Sequence, residues 1–227
     1  MSLQMDFIIP LLTIIGIDIV LGGDNAIVVA LACRNLPEKI RHKAIVLGIM
    51  FAIIARITLT LVAVYLLKIP MLMAIGGALL LYISYHLLID TNDDRDIQGK
   101  STVFAAIKTI IVADIVMGFD NVIAVAGAAH GNKALVIIGL LVSVPIIIWG
   151  SRIILFAMQR FPIIIYFGAG ILAFTATKMI AHEPMLAPLF NSHPTFASLM
   201  QTLIIILIMC IGWLSKRMKS NIEWIKK

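Results

Sequence analysis

The chain has 227 residues, of which 61% are hydrophobic and 13% are charged, and its net charge is +6. Soluble domains have about 45–50% apolar and about 25% charged residues, so this composition excludes an ordinary soluble protein and indicates one embedded in a lipid bilayer. The positive charge does not indicate a nucleic-acid partner, because most Lys and Arg residues lie between the apolar runs or in the C-terminal tail.

Seven apolar runs are long enough to cross a bilayer, which takes roughly 20 residues in a helix. They predict helices at about 7–33, 43–67, 70–89, 102–129, 133–158, 162–180 and 196–214. A polar stretch that begins DTNDDRD separates the third run from the fourth. The sequence therefore predicts an all-α, multi-pass membrane protein with seven transmembrane helices.

Lys and Arg are distributed unevenly between the two faces of the membrane that this order of helices creates. Twelve fall on one face and three on the other. Loops rich in Lys and Arg stay on the cytoplasmic side. We therefore predict that the N-terminus lies outside and the C-terminus lies in the cytoplasm.

One motif occurs twice in the chain. The first copy, DIVLGGDNAIVVALAC, runs from Asp18 to Cys33, and the second, DIVMGFDNVIAVAGAA, runs from Asp114 to Ala129. Ten of the sixteen aligned positions are identical. Each copy lies inside an apolar run, where a carboxylate costs several kcal/mol unless it is paired, hydrated or bound to a metal.

The repeat extends beyond the motif. The segment GGALLLYISYH at 76–86 loosely matches GAGILAFTATK at 168–178, and Arg56 aligns less securely with Arg152. Each unit has three helices, an odd number, so the second unit must be inserted upside down, as in many secondary transporters. The predicted organisation is a first repeat at 1–89, a cytoplasmic linker at 90–101, a second, inverted repeat at 102–180, and an outside loop, seventh helix and basic cytoplasmic tail at 181–227.

The paired motifs supply oxygen ligands inside the membrane. The candidate metal ligands are the four acids and two amides of the motifs: Asp18, Asp24, Asn25, Asp114, Asp120 and Asn121. Carboxylate and carboxamide oxygens suit Mn²⁺, Ca²⁺ or Mg²⁺ and disfavour Cu⁺ and Zn²⁺. Met117 either adds a soft contact that favours Mn²⁺ or only packs. One central site or two stacked sites remain open, as does a purely structural role in helix–helix hydrogen bonding.

Two local features of the motif helices predict irregular backbone. The first helix is about 27 residues long, and its Gly22-Gly23 pair predicts an interruption or bend near Asp24. Gly118 marks the equivalent place in the fourth helix, although Phe119 replaces the second glycine. A broken helix frees backbone carbonyls that can serve as additional ligands.

Arg56 lies near the middle of the second predicted helix. It either neutralises a carboxylate while the cation is absent or forms a permanent structural ion pair. Pro145 is expected to kink the fifth helix, with Ser143 helping to satisfy the backbone that it frees.

The paired sequences GGDNAIVVALA and GFDNVIAVAGAA resemble the TerC family of bacterial integral membrane proteins, which was named for tellurium resistance and is grouped with the lysine-exporter-like transporters. The resemblance covers the first six predicted helices. It implies a seven-helix protein of the bacterial plasma (inner) membrane that is associated with Mn²⁺ efflux. It also implies that Asp24, Asn25, Asp120 and Asn121 are metal ligands, with Asp18 and Asp114 beside them.

The sequence therefore predicts a divalent-metal exporter, most readily for Mn²⁺, that works by alternating access of the two repeats. The alternative is a membrane scaffold or metal-delivery protein that supports secreted metalloenzymes. A membrane enzyme is disfavoured because no nucleophile and base accompany the acids. The sequence contains no GxxxxGK[ST] phosphate loop, so an ion gradient or a partner is expected to supply the energy. Self-association into a homo-oligomer stays open.

Overall fold

The computed structural model describes residues 2–66, 69–89, 99–129, 132–192 and 194–225, and all regular structure in these ranges is helical. The helices are α1 (Ser2–Leu21), α2 (Gly23–Cys33), α3 (Glu38–Leu66), α4 (Leu72–Ile89), α5 (Gly99–Ala128), α6 (Lys133–Arg160), α7 (Ile163–Ala181), α8 (Ala187–Ser192) and α9 (Pro194–Ile225). The predicted all-α class is thus confirmed for the described residues. The linker predicted at 90–101 lies outside them as far as residue 98.

Several of these helices can cross a membrane. In the described part of the chain, five are long and apolar enough, over Glu38–Val62, Leu72–Ile89, Lys133–Arg160, Ile163–Ala181 and Thr195–Ser215. Helices α1 and α2 add a sixth if they count as one bent span. Helix α5, which has Asp114 at its middle, is not among them. The architecture is that of a multi-pass membrane protein, and the number of seven spans stays a prediction.

The first motif helix is bent where the sequence predicts it. Helices α1 and α2 meet at Gly22 with an angle of 43°. A Cβ atom at Gly22 would overlap the carbonyl oxygen of Asp18, so a larger residue would push the two segments apart. The predicted interruption near Asp24 is confirmed, and it leaves Asp24 in the first turn of α2.

The second motif helix is not broken, so the prediction of a break near Gly118 was wrong. Helix α5 continues from Gly99 to Ala128. A single glycine inside a helix costs only about 1 kcal/mol relative to alanine, which packing on neighbouring helices offsets. Phe119, where the first copy has Gly23, adds a side chain that is half-buried. The absence of a second glycine explains why α5 continues where the first motif helix is interrupted.

The helices pack in corresponding pairs. Helix α3 runs along α5, and α6 runs along α1 and α2. Helices α4 and α7 form a third close pair, while α3 touches α6 and the two motif helices touch each other at the centre. The hydrophobic core lies between these helices, so the motifs are placed inside the bundle.

One glycine contact recurs in both halves. A Cβ atom on Gly48 of α3 would lie 2.7 Å from Ile110 Cδ1 of α5. A Cβ atom on Gly139 of α6 would likewise overlap the side chain of Ile14 of α1. Ile14 and Ile110 are separated by the same 96 residues as the two motifs. Gly48 and Gly139 therefore occupy matching places.

A second contact recurs between α4 and α7. The Ser84 hydroxyl donates to the Ala169 carbonyl at 2.8 Å. A Cβ atom on Gly77 would lie 2.6 Å from the Ala176 carbonyl oxygen. In the sequence match, Gly77 aligns with Ala169 and Ser84 with Ala176, so each contact is the counterpart of the other.

The matched glycines also correct the alignment of Arg56 with Arg152. Arg56 comes eight residues after Gly48, and the residue eight positions after Gly139 is Ile147. Ile147 lines the same small cavity as Arg56. Arg152 is exposed instead, and its Nη2 lies 2.7 Å from a ring nitrogen of His42.

Glu183, in the loop that follows α7, is buried and holds the beginning of α4. Its carboxylate accepts hydrogen bonds from the backbone N–H groups of Met71 at 3.0 Å, Met73 at 3.0 Å and Ala74 at 3.3 Å. Only 1% of Glu183 is exposed. The first N–H groups of a helix lack partners within the helix, and a carboxylate there also favours the helix dipole. Glu183 therefore ties α4 to the end of α7.

Helix α9 lies at the periphery. It packs on α4 and α7, and 6% of its apolar span is buried, against 39–44% for the other four long spans. The predicted seventh helix ended at residue 214, whereas α9 continues as a helix to Ile225. The Lys, Arg and Met residues of the tail are good helix formers, which explains the longer helix.

Candidate metal site

The centre of the site is a buried cluster of one guanidinium and two carboxylates. Arg56 of α3 donates through Nη1 to Asp18 Oδ1 of α1 and through Nη2 to Asp114 Oδ1 of α5. Its Nε donates to Asp114 Oδ2 at 3.2 Å, so the pairing with Asp114 is bidentate. The exposed fractions are 1% for Asp18, 2% for Arg56 and 8% for Asp114. One acid from each motif copy thus meets on the same arginine.

The second oxygen of Asp18 is bound from α6. The Ser143 hydroxyl donates to Asp18 Oδ2 and also lies 2.8 Å from the Leu140 carbonyl. Helix α6 passes Pro145 without interruption, and the carbonyl that lacks a donor there is that of Leu141, four residues earlier. Ser143 therefore serves Asp18 rather than the backbone freed by the proline, contrary to the sequence prediction.

Asn25 is the buried polar side chain of the site that lacks a partner. It is 4% exposed, and neither its Nδ2 nor its Oδ1 has a hydrogen bond among the described residues. A buried amide without partners costs about 1–3 kcal/mol for each unsatisfied group. Asn25 borders a cavity of about 20 Å³ that Arg56 and Asp114 also line. That volume holds about one water molecule or one small ion.

Asp24 has a different set of partners. It is half-buried, and its carboxylate accepts from the Thr175 hydroxyl of α7 at 3.3 Å and from the Asn25 backbone N–H at 3.0 Å. The two acids of the first motif are therefore held by different helices, Asp18 by α3 and α6 and Asp24 by α7.

In the second motif the described part of the site is smaller. Asn121 is buried, with 6% of it exposed. The backbone of Asp120 belongs to α5, and its side chain lies outside the described part of the structure. Met117 is 3% exposed and belongs to the hydrophobic core, so it packs against apolar neighbours.

The described carboxylates do not lie together in an arrangement that could already bind a metal ion. No three His, Cys, Asp or Glu side chains among the described residues lie together in a metal-binding group. Two of the predicted ligands, Asp18 and Asp114, are instead neutralised in part by Arg56. Their two negative charges against one positive charge leave a net charge of −1 in a buried place, which favours entry of a cation.

Ser143 and Thr175 bind the two acids of the first motif, and the sequence analysis did not predict these contacts. Both are hydroxyl residues inside apolar helices, at places that face the bundle. A polar residue in such a helix usually has a partner on a neighbouring helix. The motif search could not find them because neither belongs to the two copies of the Asp-Asn motif.

Comparison with known proteins identifies the family of the chain. The integral membrane protein TerC family matches residues 3–220. The membrane protein YjbE of Bacillus subtilis is 49% identical over 201 residues, which cover 88% of this chain and 92% of that protein. YkoY of the same species is 31% identical over 133 residues, 56% of this chain and 41% of that protein.

More distant relatives include the inner membrane protein YoaE of Escherichia coli, 27% identical over 140 residues, which are 53% of this chain and 27% of that protein. No solved structure matches the chain. The family match extends over nearly all of the sequence, from the start of α1 into the tail of α9. The chain therefore belongs to the integral membrane protein TerC family.

Proposed function

We propose that this protein exports divalent cations, most readily Mn²⁺, across the bacterial plasma membrane, with the C-terminus in the cytoplasm. The observation that carries the proposal is the buried bridge from Asp18 through Arg56 to Asp114. It joins one acid from each motif copy at a buried place. Well-packed apolar side chains would cost less free energy there than ion pairs do. An arrangement so costly is expected where charge has to be bound and released.

In the proposed mechanism, Arg56 serves as a tethered substitute for the transported ion. The cation enters the cavity beside Asn25, whose amide oxygen has no other partner. It then competes with the guanidinium for Asp18 and Asp114, while Asp24 and Asp120 supply further oxygen ligands. When the cation leaves, Arg56 returns to the two carboxylates. The buried acids are never left without a positive partner, which keeps the barrier for the return step low.

The proposed movement is an exchange of shape between two inverted repeats. The recurring glycine contacts and the recurring α4–α7 contacts support the equivalence of the halves. The two motif helices nevertheless differ, because α1 and α2 are bent at Gly22 and α5 is straight. In alternating access, equivalent repeats take two shapes and exchange them. The opposite state would then have a straighter first motif helix and a bend at Gly118, which has no atom of another helix closer than 3.8 Å to its missing Cβ.

Substitution of the proposed ligands tests the proposal. Asp24→Asn and Asp120→Asn each remove one negative charge at nearly constant size. Mn²⁺ flux into proteoliposomes should fall by about tenfold or more, the equivalent of about 1.4 kcal/mol. Glu38→Gln, an exposed acid in the first turn of α3, is the matched control and should keep normal flux. Normal flux in both site variants contradicts the proposal, and Mn²⁺ binding without any flux in the parent protein favours the metal-delivery alternative.

Selectivity provides a second test. An oxygen-dominated site should bind Mn²⁺, with Ca²⁺ and Mg²⁺ as weaker competitors, and should leave Cu⁺ alone. We expect excess Ca²⁺ to reduce Mn²⁺ flux and an equal excess of Cu⁺ to have no effect at the site. The measurement is competition in the same proteoliposomes. A preference for Cu⁺ over Mn²⁺ would rule out the proposed ligands.

A further inference from the structure

A groove between α4 and α5 lies apart from the central site. Its volume is about 320 Å³, and its walls combine apolar residues with four polar ones, Tyr82 and His86 of α4 and Lys108 and Thr109 of α5. It is lined by the C-terminal part of α4, which ends at Ile89, and by the N-terminal half of α5, which begins at Gly99. None of these residues contributes to the proposed export site.

Lys108 is the most informative residue of the groove. It is exposed, and no carboxylate among the described residues lies within ion-pair distance of it. It precedes Asp114 by six residues, which places it about 9 Å along α5 from the middle of that helix. From that position a lysine can extend its side chain along the groove toward the lipid headgroups. An ammonium group there favours an anionic partner.

The facing wall presents groups that suit the same partner. Tyr82 and His86 are one turn apart on α4, their ring centroids are 6.0 Å apart, and both are exposed. Aromatic residues with a polar tip favour the boundary between lipid headgroups and acyl chains. His86 lies three residues before the end of α4, so its ring is near the same end of the bundle as Lys108. Below these groups the groove is lined by apolar side chains such as Leu79 and Val112.

We propose that this groove binds an anionic phospholipid of the leaflet at which α4 ends and α5 begins. The phosphate lies against Lys108, with His86 and Tyr82 as hydrogen-bond donors, and one acyl chain fills the apolar part between the two helices. Basic pockets between transmembrane helices bind anionic headgroups by the same combination of charge and shape. The lipid would then hold α5, which carries Asp114, against α4.

The test measures lipid retention by the purified full-length chain in detergent, using native mass spectrometry and a titration with phosphatidylglycerol. Lys108→Gln should weaken phosphatidylglycerol binding about fivefold, as expected for one Lys at a headgroup. Lys133→Gln, the same change at the exposed first residue of α6, is the matched control and should have no effect. Phosphatidylcholine should bind the parent protein more weakly than phosphatidylglycerol.

A second variant tests the acyl-chain part of the groove without changing its charge. Leu79 is exposed and lines the apolar part of the groove, so Leu79→Trp should fill it and reduce phosphatidylglycerol binding while the protein stays folded. Soluble glycerol phosphate should not displace the lipid. Equal losses in Lys108→Gln and Lys133→Gln, or equal binding of the two lipids, would overturn the proposal. Full displacement by glycerol phosphate would also overturn it, because the site would then bind a free phosphate group.

Discussion

Replacing Arg56 with Met is expected to lower the free energy of unfolding by about 3–5 kcal/mol. Met fills a similar volume but carries no charge, so Asp18 and Asp114 would be left buried and facing each other without a positive partner. Removing one partner of a buried ion pair costs more free energy than the intact pair contributes. The remaining charge stays desolvated and no longer has a partner that compensates for this cost. Chemical unfolding in detergent micelles measures the change.

Two further variants make this result interpretable. Arg152→Met removes an exposed arginine from α6 and should change stability by no more than about 0.5 kcal/mol. The triple variant Asp18→Asn, Asp114→Asn and Arg56→Met removes every charge of the cluster and should recover most of the lost stability. It should still transport no Mn²⁺, because the two central carboxylates, those of Asp18 and Asp114, are absent. A single Arg56→Met variant as stable as the parent protein would show that the bridge does not hold the bundle together.

Glu183→Ala is expected to destabilise the protein by about 2–4 kcal/mol. The substitution leaves three backbone N–H groups, those of Met71, Met73 and Ala74, without their acceptor. Glu183 itself is buried, so its carboxylate binds these groups out of contact with water. The start of α4 should loosen first, and hydrogen exchange at Met73 and Ala74 would detect it before global unfolding does.

Two comparisons separate this effect from a general loss of charge. Glu183→Gln keeps one acceptor oxygen and should cost less than Glu183→Ala. Glu38→Ala removes an exposed acid near the beginning of α3 and should change stability only slightly. Unchanged exchange at the start of α4 in Glu183→Ala would contradict the assignment of Glu183 as the cap of that helix.

The sequence was sufficient to predict the features that depend on local composition. Apolar runs predict helices because each run must satisfy its backbone internally. The Gly22-Gly23 pair predicts the bend between α1 and α2, since two adjacent glycines weaken a helix far more than one. Arg56 could be recognised as a charge partner because a lone arginine in an apolar run requires an acid nearby.

Features that depend on contacts between distant segments could not be predicted. Gly48 follows Asp24 by 24 residues, whereas Gly139 follows Asp120 by only 19. Most of this difference lies in the helices themselves, because α3 begins ten residues before Gly48 and α6 begins six residues before Gly139. A search at one uniform spacing does not reveal it. The continuity of α5 at Gly118 is a different case, because one glycine without a second beside it does not interrupt a helix that packs on its neighbours.

Two partners were missed for a related reason. Glu183 lies in a loop with no repeat counterpart in the motif, and its role depends on where the start of α4 is placed in space. Ser143 was assigned to the backbone next to Pro145 because that is the nearest candidate in sequence. Its partner Asp18 is 125 residues away in the chain.

In the second half, Ile147 occupies the position that matches Arg56. The two halves therefore contribute unequally to the charge of the central cluster. Two copies of a single three-helix unit, assembled as a symmetric dimer, duplicate every residue. Such a dimer has either two arginines or none beside its two central acids. The acids are then either both paired with an arginine or both without a positive partner. Within one chain the number can be odd, and here one arginine lies between Asp18 and Asp114 while Ile147 lines the same cavity. The centre thus has one arginine for two acids, a ratio that an exact twofold arrangement cannot have.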